Sequence, residues 1–470
     1  MSALVSIPHS QYQQARHSRD PRFDGRFFVA VRTTGIFCRN ICPVKMPKEE
    51  NVEYFDFAAQ AMQAGYRPCL RCRPDSAPGS FAWKGTETTL IRAMKLLKES
   101  PSLSMQALCE RLGISDRYLR KLFQRYLGIA PKQYQMTEQL LFAKNLLHET
   151  QLSVEDVAQS CGFNSSRRLQ DNMMKFLRLS PGQVRQQSLT HANGKALCNS
   201  LRLSFREPYH WPQVRDFMAL RAIEGVEIVT DDGYQRHFTL PVGAESEPVH
   251  GTFKAMFNAE ERVFDVQIEM NSYRNLGDVI RNIRRVLDLD ADSNAIAECM
   301  IKAGVPEQTI VQGLRLPGVW SVFEAGVRAI LGQQVSVKAA ISHLSRLTES
   351  CGFEIDGKLY FPTAQHILDN NLDCLKMPGA RKQTLHNLAQ YMVDKDKQSS
   401  TGLHQVDDWL SIKGIGPWTV AYAQMRGQSE PDIWLDTDLV IKKQLQQHDI
   451  CADFAAPWRS YLTFQLWSMA

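Results

Sequence analysis

At 470 residues the chain is too long for one hydrophobic core, and its length predicts about three domains. Its 44% hydrophobic and 22% charged residues are those of a water-soluble globular protein, with no apolar run near the ~18 residues that a membrane span needs, so no membrane partner is expected. The net charge of +5 is uneven: +4 over residues 1–80, +7 over 81–190 and −6 over 191–470, so the first two segments are suited to meet phosphate.

The N-terminus, Met1-Ser2-Ala3-Leu4-Val5, lacks the charged start and apolar core of a secretory signal, so a reducing, cytoplasmic setting is expected. Eleven cysteines in such a setting point to packing or metal rather than to disulfides. Cys38 and Cys42, then Cys69 and Cys72, form two close pairs with 26 residues between them, the arrangement of a four-thiolate zinc site. On spacing alone this reads first as a structural knuckle that holds a small domain, and only second as a reactive centre. Arg73 to Ser80, rich in Pro, Ser and Gly, reads as a linker.

Next comes a short helix over Leu103–Cys109, a turn at Gly113, and a basic helix capped by Ser115 that runs to Phe123: a helix-turn-helix. The unit recurs at a spacing of 50 residues, with Tyr126–Gln133 matching Phe176–Gln183. The second copy has Val154–Asn164 and then Ser165 to Phe176 as its candidate recognition helix. Cys109 and Cys161 fall on apolar helix positions and read as packing residues. A polar stretch, Gln186–Asn193, is expected to end this segment. Strand patterns at Val226–Thr230 and Tyr234–Leu240 follow, and helical patterns take over from about residue 273. Near the end, Lys413-Gly414-Ile415-Gly416-Pro417 joins two helices as a hairpin, whose glycines turn backbone N–H groups toward a phosphate.

Three resemblances carry these readings further. Val31–Arg39 and Gly65–Cys72 are very similar to the N-terminal domain of the Ada family. That resemblance implies one Zn2+ held by Cys38, Cys42, Cys69 and Cys72, with Cys38 taking a methyl group irreversibly from a DNA methylphosphotriester, and Thr34, Lys45 and Arg67 touching DNA. Pro43 departs from the arginine common after the second cysteine. Residues 86–186 resemble the DNA-binding domain of the AraC family, which implies major-groove contact by Arg117, Arg120, Lys121, Arg167 and Arg168. Here Arg178 replaces a usual turn glycine and Asp171 a usual basic residue. Residues 200–470 resemble AlkA-type 3-methyladenine DNA glycosylases through Leu314–Trp320, Ala329–Ser336, Gly414-Ile415-Gly416 and Leu435–Val440.

The last resemblance implies Asp438 as the catalytic carboxylate, Gly414 and Gly416 on DNA, and Trp418, Tyr422 and Trp467 around a flipped base; Asp436 is expected to cap a helix. Trp418 stands where strand-cutting relatives have a lysine, so a monofunctional glycosylase without a Schiff base is expected. Gln334 occupies the position of an apolar wedge, and no four-cysteine iron–sulfur loop follows Asp438. No Pro-Cys-His-Arg motif is present, so direct repair of O6-methylguanine is not expected.

The whole reads as a multidomain, mostly helical α+β protein: a small zinc-bound α/β domain over 1–78, paired helix-turn-helix units over 84–188, an antiparallel α+β segment over 198–285, and a helical helix-hairpin-helix core over 286–470. The expected function is methyl acceptor, transcriptional regulator and base-excising enzyme in one monomeric, nucleoid-associated chain, with promoter DNA, alkylated DNA and RNA polymerase as partners. The alternatives are a transcription factor whose glycosylase-like domain only binds DNA, and a chain whose zinc is only structural or redox-sensing.

Overall fold

The computed structural model describes residues 12–13, 16–17, 19, 27–55, 58–69, 72, 74, 86–99, 103–191, 200–240, 248–398 and 406–469. They fall into two compact units, residues 1–139 and 140–470.

The first unit opens with a four-stranded sheet, β1 (Phe28–Val31), β2 (Ile36–Arg39), β3 (Val52–Phe55) and β4 (Arg67–Pro68), in the order β3-β1-β2-β4, with helix α1 (Ala58–Gln63) between the last two in sequence. Side chains alternate across β1. Phe27 and Val29 pack with Tyr12 and Val52, while Phe28 and Ala30 pack with Phe37 and Ala61. Both clusters are small, which is the circumstance in which a metal supplements a core. Of the expected linker Arg73–Ser80, all but Pro74 lies outside the described residues.

Helices α2 (Thr86–Glu99), α3 (Met105–Leu112) and α4 (Asp116–Leu127) follow, packed around Leu90, Leu97, Leu108, Leu119 and Phe123. Ser104 and Ser115 accept from the N–H groups of Ala107 and Tyr118, capping α3 and α4. Gly113 and Gly128 end them in the left-handed region, with φ of 65° and 67°.

Helix α5 (Pro131–Glu149) contains the boundary between the units. In the second unit, α6 (Val154–Ser160) and α7 (Ser166–Asn172) form the second helix-turn-helix, and Ser153 and Ser165 cap them. The recognition helix expected to run unbroken to Phe176 instead ends as α-helix at Asn172 and passes into a π-helical turn over Met173–Leu177. Arg178 then adopts φ 57°, the conformation that Gly128 supplies in the first copy, so a side chain occupies a position suited to glycine. The expected polar break at Gln186 is also revised, because α8 (Pro181–His191) continues through most of it; residues 192–199 are not among those described.

Strand β5 (Ser200–Ser204), helix α9 (Trp211–Ala219) and strands β6 (Glu227–Val229), β7 (Gly233–Leu240), β8 (Val249–Asn258) and β9 (Val263–Met270) build an antiparallel sheet of order β5-β9-β8-β7-β6. The two strands expected here pair with each other, Val229 opposite Tyr234. Helical elements follow: α10 (Leu276–Val286), α11 (Ser293–Lys302), α12 (Val322–Leu331), α13 (Val337–Cys351), α14 (Ala364–Leu368), α15 (Gly379–Gln398), α16 (Pro417–Gly427), α17 (Leu439–Gln447) and α18 (Arg459–Ser468). One core gathers around Trp409, Leu385 and Ile330, the other around Met425, Leu435 and Phe464. Buried charge joins sheet to helices. Arg236 of β7 pairs with Glu227 of β6 at 2.7 Å and with Glu324 of α12, while Arg328 binds the same two carboxylates at 2.7 and 2.8 Å.

Candidate metal centre and carboxylate pocket

The parallel pairing of β2 with β4, Ile36 opposite Arg67 and Phe37 opposite Pro68, brings the chain after β4 beside the end of β2. The Cys69 N–H donates to the Phe37 carbonyl at 3.0 Å, which sets Cys69 next to Cys38. A turn closed by the Cys42 N–H on the Arg39 carbonyl, at 3.1 Å, brings Cys42 back to the same point. The Arg39 guanidinium anchors the last ligand, donating to the Cys72 carbonyl at 3.2 Å. All four sulfurs lie within 4.8 Å of one another and are buried. A tetrahedral Zn2+ with Zn–S near 2.3 Å needs sulfurs about 3.8 Å apart, so the donor set fits that ion. Hydrogen bonds with Cys42 and Cys72, then burial, push the Cys38 thiol far above its ordinary range.

The four sulfurs are not equivalent. The Arg39 N–H donates to Cys72 Sγ at 3.4 Å, and the Val44 N–H serves Cys42. No backbone N–H reaches Cys38 Sγ among the described residues. A thiolate that accepts no backbone hydrogen bond keeps more electron density for bond formation. Thr34, Lys45, Arg67 and Pro43 are all exposed in this unit. Arg117, Arg120 and Lys121 are exposed on α4, where Arg120 pairs with Asp116 at 2.8 Å, and Arg167 and Arg168 are exposed near the start of α7. Cys109 and Cys161 are buried, as packing residues should be.

In the second unit, Gly414 has φ 96°, and a Cβ there would lie 2.0 Å from Thr384 Oγ1; only glycine suits this turn. A Cβ on Gly416 would meet nothing within 4 Å, so the second glycine leaves open space at the start of α16. Pro417 occupies the first turn of that helix and the Gly416 cap has no side chain; the Thr419 and Val420 N–H groups donate to the Gly416 carbonyl, so the Trp418 N–H is the helix-start donor left for an anion. Trp418 and Tyr422, one turn apart on α16, stack at 5.3 Å and 24°. Gln334 sits exposed between α12 and α13 with φ 56°.

Asp438 caps α17: its Oδ1 accepts from the N–H groups of Val440 and Ile441 at 3.0 and 3.2 Å, and from Trp467 Nε1 at 3.3 Å. This corrects the expectation for Asp436, which is exposed and precedes the helix by three residues. The reason is backbone geometry: Asp438, at φ −65° and ψ 132°, is the residue where the extended chain enters the helix. Among the described residues no donor engages Oδ2. The carboxyl group is therefore half-buried and fixed in orientation at a helix start, with Oδ2 left without a donor among the described residues. Trp418, Tyr422 and Trp467 all border the core around Met425 and Phe464.

Beside these rings lie groups that the sequence reading missed. Phe217 of α9 stacks on Trp467 at 6.4 Å and 9°. The Arg426 guanidinium lies 4.6 Å from the Phe217 ring centre and donates to the Tyr422 hydroxyl at 3.2 Å. The spacing of Arg426, four residues after Tyr422 on one helix face, was a signal for that contact; Phe217 carried none.

Comparisons with known proteins agree with this layout. Residues 11–75 match the metal-binding domain of Ada, 108–187 a helix-turn-helix domain, and 200–321 the AlkA N-terminal domain. A probable bifunctional transcriptional activator/DNA repair enzyme AlkA of Mycobacterium tuberculosis is 33% identical over 485 residues, spanning 97% of this chain and 95% of the relative. DNA-3-methyladenine glycosylase 2 of Escherichia coli is 29% identical over 56% of this chain and 95% of its own length. The E. coli bifunctional transcriptional activator/DNA repair enzyme Ada is 36% identical over 29% of this chain and 37% of its own length.

Proposed function

Because the chain belongs to the family of bifunctional transcriptional activator/DNA repair enzymes that join an Ada-type metal-binding domain to an AlkA-type domain, we propose that it both accepts methyl groups from DNA and excises alkylated bases such as 3-methyladenine. The observation that carries this reading is the presence, in one chain, of a buried four-sulfur cluster and a helix-capping carboxylate with one free oxygen beside aromatic rings.

In the first reaction the Cys38 thiolate attacks the methyl carbon of a methylphosphotriester. The S–C bond forms, the C–O bond breaks with its electron pair on oxygen, and an ordinary phosphodiester anion leaves. When bound, Zn2+ keeps the thiols ionised at neutral pH. Conversion of one thiolate to a thioether removes one negative charge from the face that Thr34, Lys45 and Arg67 present to DNA, and so favours DNA binding. The exposed Arg117, Arg120, Lys121, Arg167 and Arg168 then read promoter sites, with RNA polymerase as partner, in a monomeric, nucleoid-associated cytoplasmic protein.

In the second reaction the hairpin of Gly414 and Gly416 holds a phosphate, and the flipped base enters against Trp418, Tyr422 and Trp467. As the glycosidic bond breaks with its electron pair passing to the base, Asp438 Oδ2 faces the positive charge on the sugar and orients the water that adds to it. Trp418, not a lysine, stands two residues after Gly416, so no Schiff base forms there and the product is an abasic site with the strand intact. The test uses DNA carrying radiolabelled methyl groups and the wild type, Cys38→Ala and Asp438→Asn proteins. Label on protein should require Cys38 and released 3-methyladenine should require Asp438; independence from both would refute the assignment.

A further inference from the structure

Behind the pocket lies buried positive charge that the ion pairs do not match. Glu227 and Glu324 are shared by Arg236 and Arg328. Arg221, Arg285 and Arg426 lie in the same cluster, and no ion pair to any of them exists among the described residues. Arg426 is 3% exposed; its Nε donates to the Pro317 carbonyl at 2.6 Å and its Nη1 to the Tyr422 hydroxyl at 3.2 Å. Its guanidinium lies 5.8 Å from the Tyr422 ring centre and 4.6 Å from that of Phe217, and the Arg221 guanidinium covers Phe217 at 3.8 Å. Burial lowers Arg221 to about 10, which leaves it a cation at neutral pH.

We propose that Arg426, with Arg221, sets base selectivity by holding a positive potential at the back of the pocket formed by Trp418, Tyr422, Phe217 and Trp467. This rests on the pocket reading above. A base already cationic, such as 3-methyladenine or 7-methylguanine, enters that potential against repulsion. A neutral damaged base gathers negative charge as its bond to the sugar breaks, and the same potential stabilises it. The Tyr422 hydroxyl accepts from Arg426, which leaves its own proton available to donate to the departing base. The arginines thus broaden the substrate class from cationic alkylpurines toward neutral bases, at the expense of discrimination.

The experiment measures single-turnover excision by the full chain from matched duplexes carrying 7-methylguanine or hypoxanthine. Arg426→Gln should raise the ratio of cationic to neutral excision about tenfold, the order expected when one unit charge within about 10 Å is removed at an effective dielectric of about 20. Arg426→Lys, which keeps the charge, should leave the ratio near wild type. A fall in both rates with the ratio unchanged would overturn the proposal, because a purely structural role lowers the two together. Arg221→Gln carries the same expectation should Arg426→Gln not fold. Trp418→Ala separates the two readings: if it leaves both excisions at wild-type rates, the pocket assignment itself fails, whereas loss of both with an unmoved ratio in Arg426→Gln overturns selectivity alone.

Discussion

Asp438 has two separable jobs, and two substitutions pull them apart. Its Oδ1 takes three donors, from Val440, Ile441 and the Trp467 indole, at 3.0, 3.2 and 3.3 Å, while Oδ2 takes none among the described residues. Asn keeps an equivalent Oδ1 and is as good a cap as Asp, so Asp438→Asn should cost only the charge–dipole contribution, about 0.3–1 kcal/mol. Ala removes the cap and strands the half-buried indole N–H, for about 2 kcal/mol in all. Excision should fall by the same factor in both, on the order of 10²–10⁴, since each removes the negative charge opposite the sugar cation. Urea unfolding of the second unit, read by tryptophan fluorescence, together with single-turnover release of 3-methyladenine, checks both halves. Equal stability losses for Asn and Ala would refute the capping argument, and Asp438→Asn within about tenfold of wild type would refute the electrostatic one.

Chelating the metal, or Cys42→Ala, should unfold the small sheet of the first unit while leaving base excision intact, because its apolar clusters are small and the excision residues lie in the second unit; circular dichroism and excision assays on one sample test this. Gly414→Ala should destabilise the second unit by about 3 kcal/mol and abolish excision, since a Cβ would lie 2.0 Å from Thr384 Oγ1 at φ 96°, and thermal unfolding reads the first effect. Asp288 is partly buried, its carboxylate accepts from the Tyr461 hydroxyl at 2.9 Å, and desolvation raises the carboxyl from 3.8 to about 6. The folded state therefore binds the extra proton, so stability is full below the unfolded value and falls by about 3 kcal/mol as pH rises through 6. Asp288→Asn should flatten that limb between pH 4 and 7 in urea titrations; an unchanged slope would exclude Asp288 as its source.

The local chemistry was legible in the sequence because each feature needs only near neighbours. The paired cysteines, the Ser115 cap, the hairpin glycines and each helix-turn-helix unit all stand within a few residues of what they serve. Tertiary structure decided the rest. Parallel pairing of β2 and β4 brings Cys69 beside Cys38 across 30 residues of intervening chain, a meeting that spacing allows but does not require. The helix start fell on Asp438 rather than Asp436 because Asp436 and Thr437 lie in a turn closed by the Asp438 N–H on the Leu435 carbonyl at 3.0 Å, which residue type alone does not encode. The Arg236–Glu324 weld spans 88 positions, and the approach of Phe217 to Trp467 spans 250. Contacts at that distance follow from the layering of sheet and helices, so the buried charge behind the pocket became visible only when those layers were seen together.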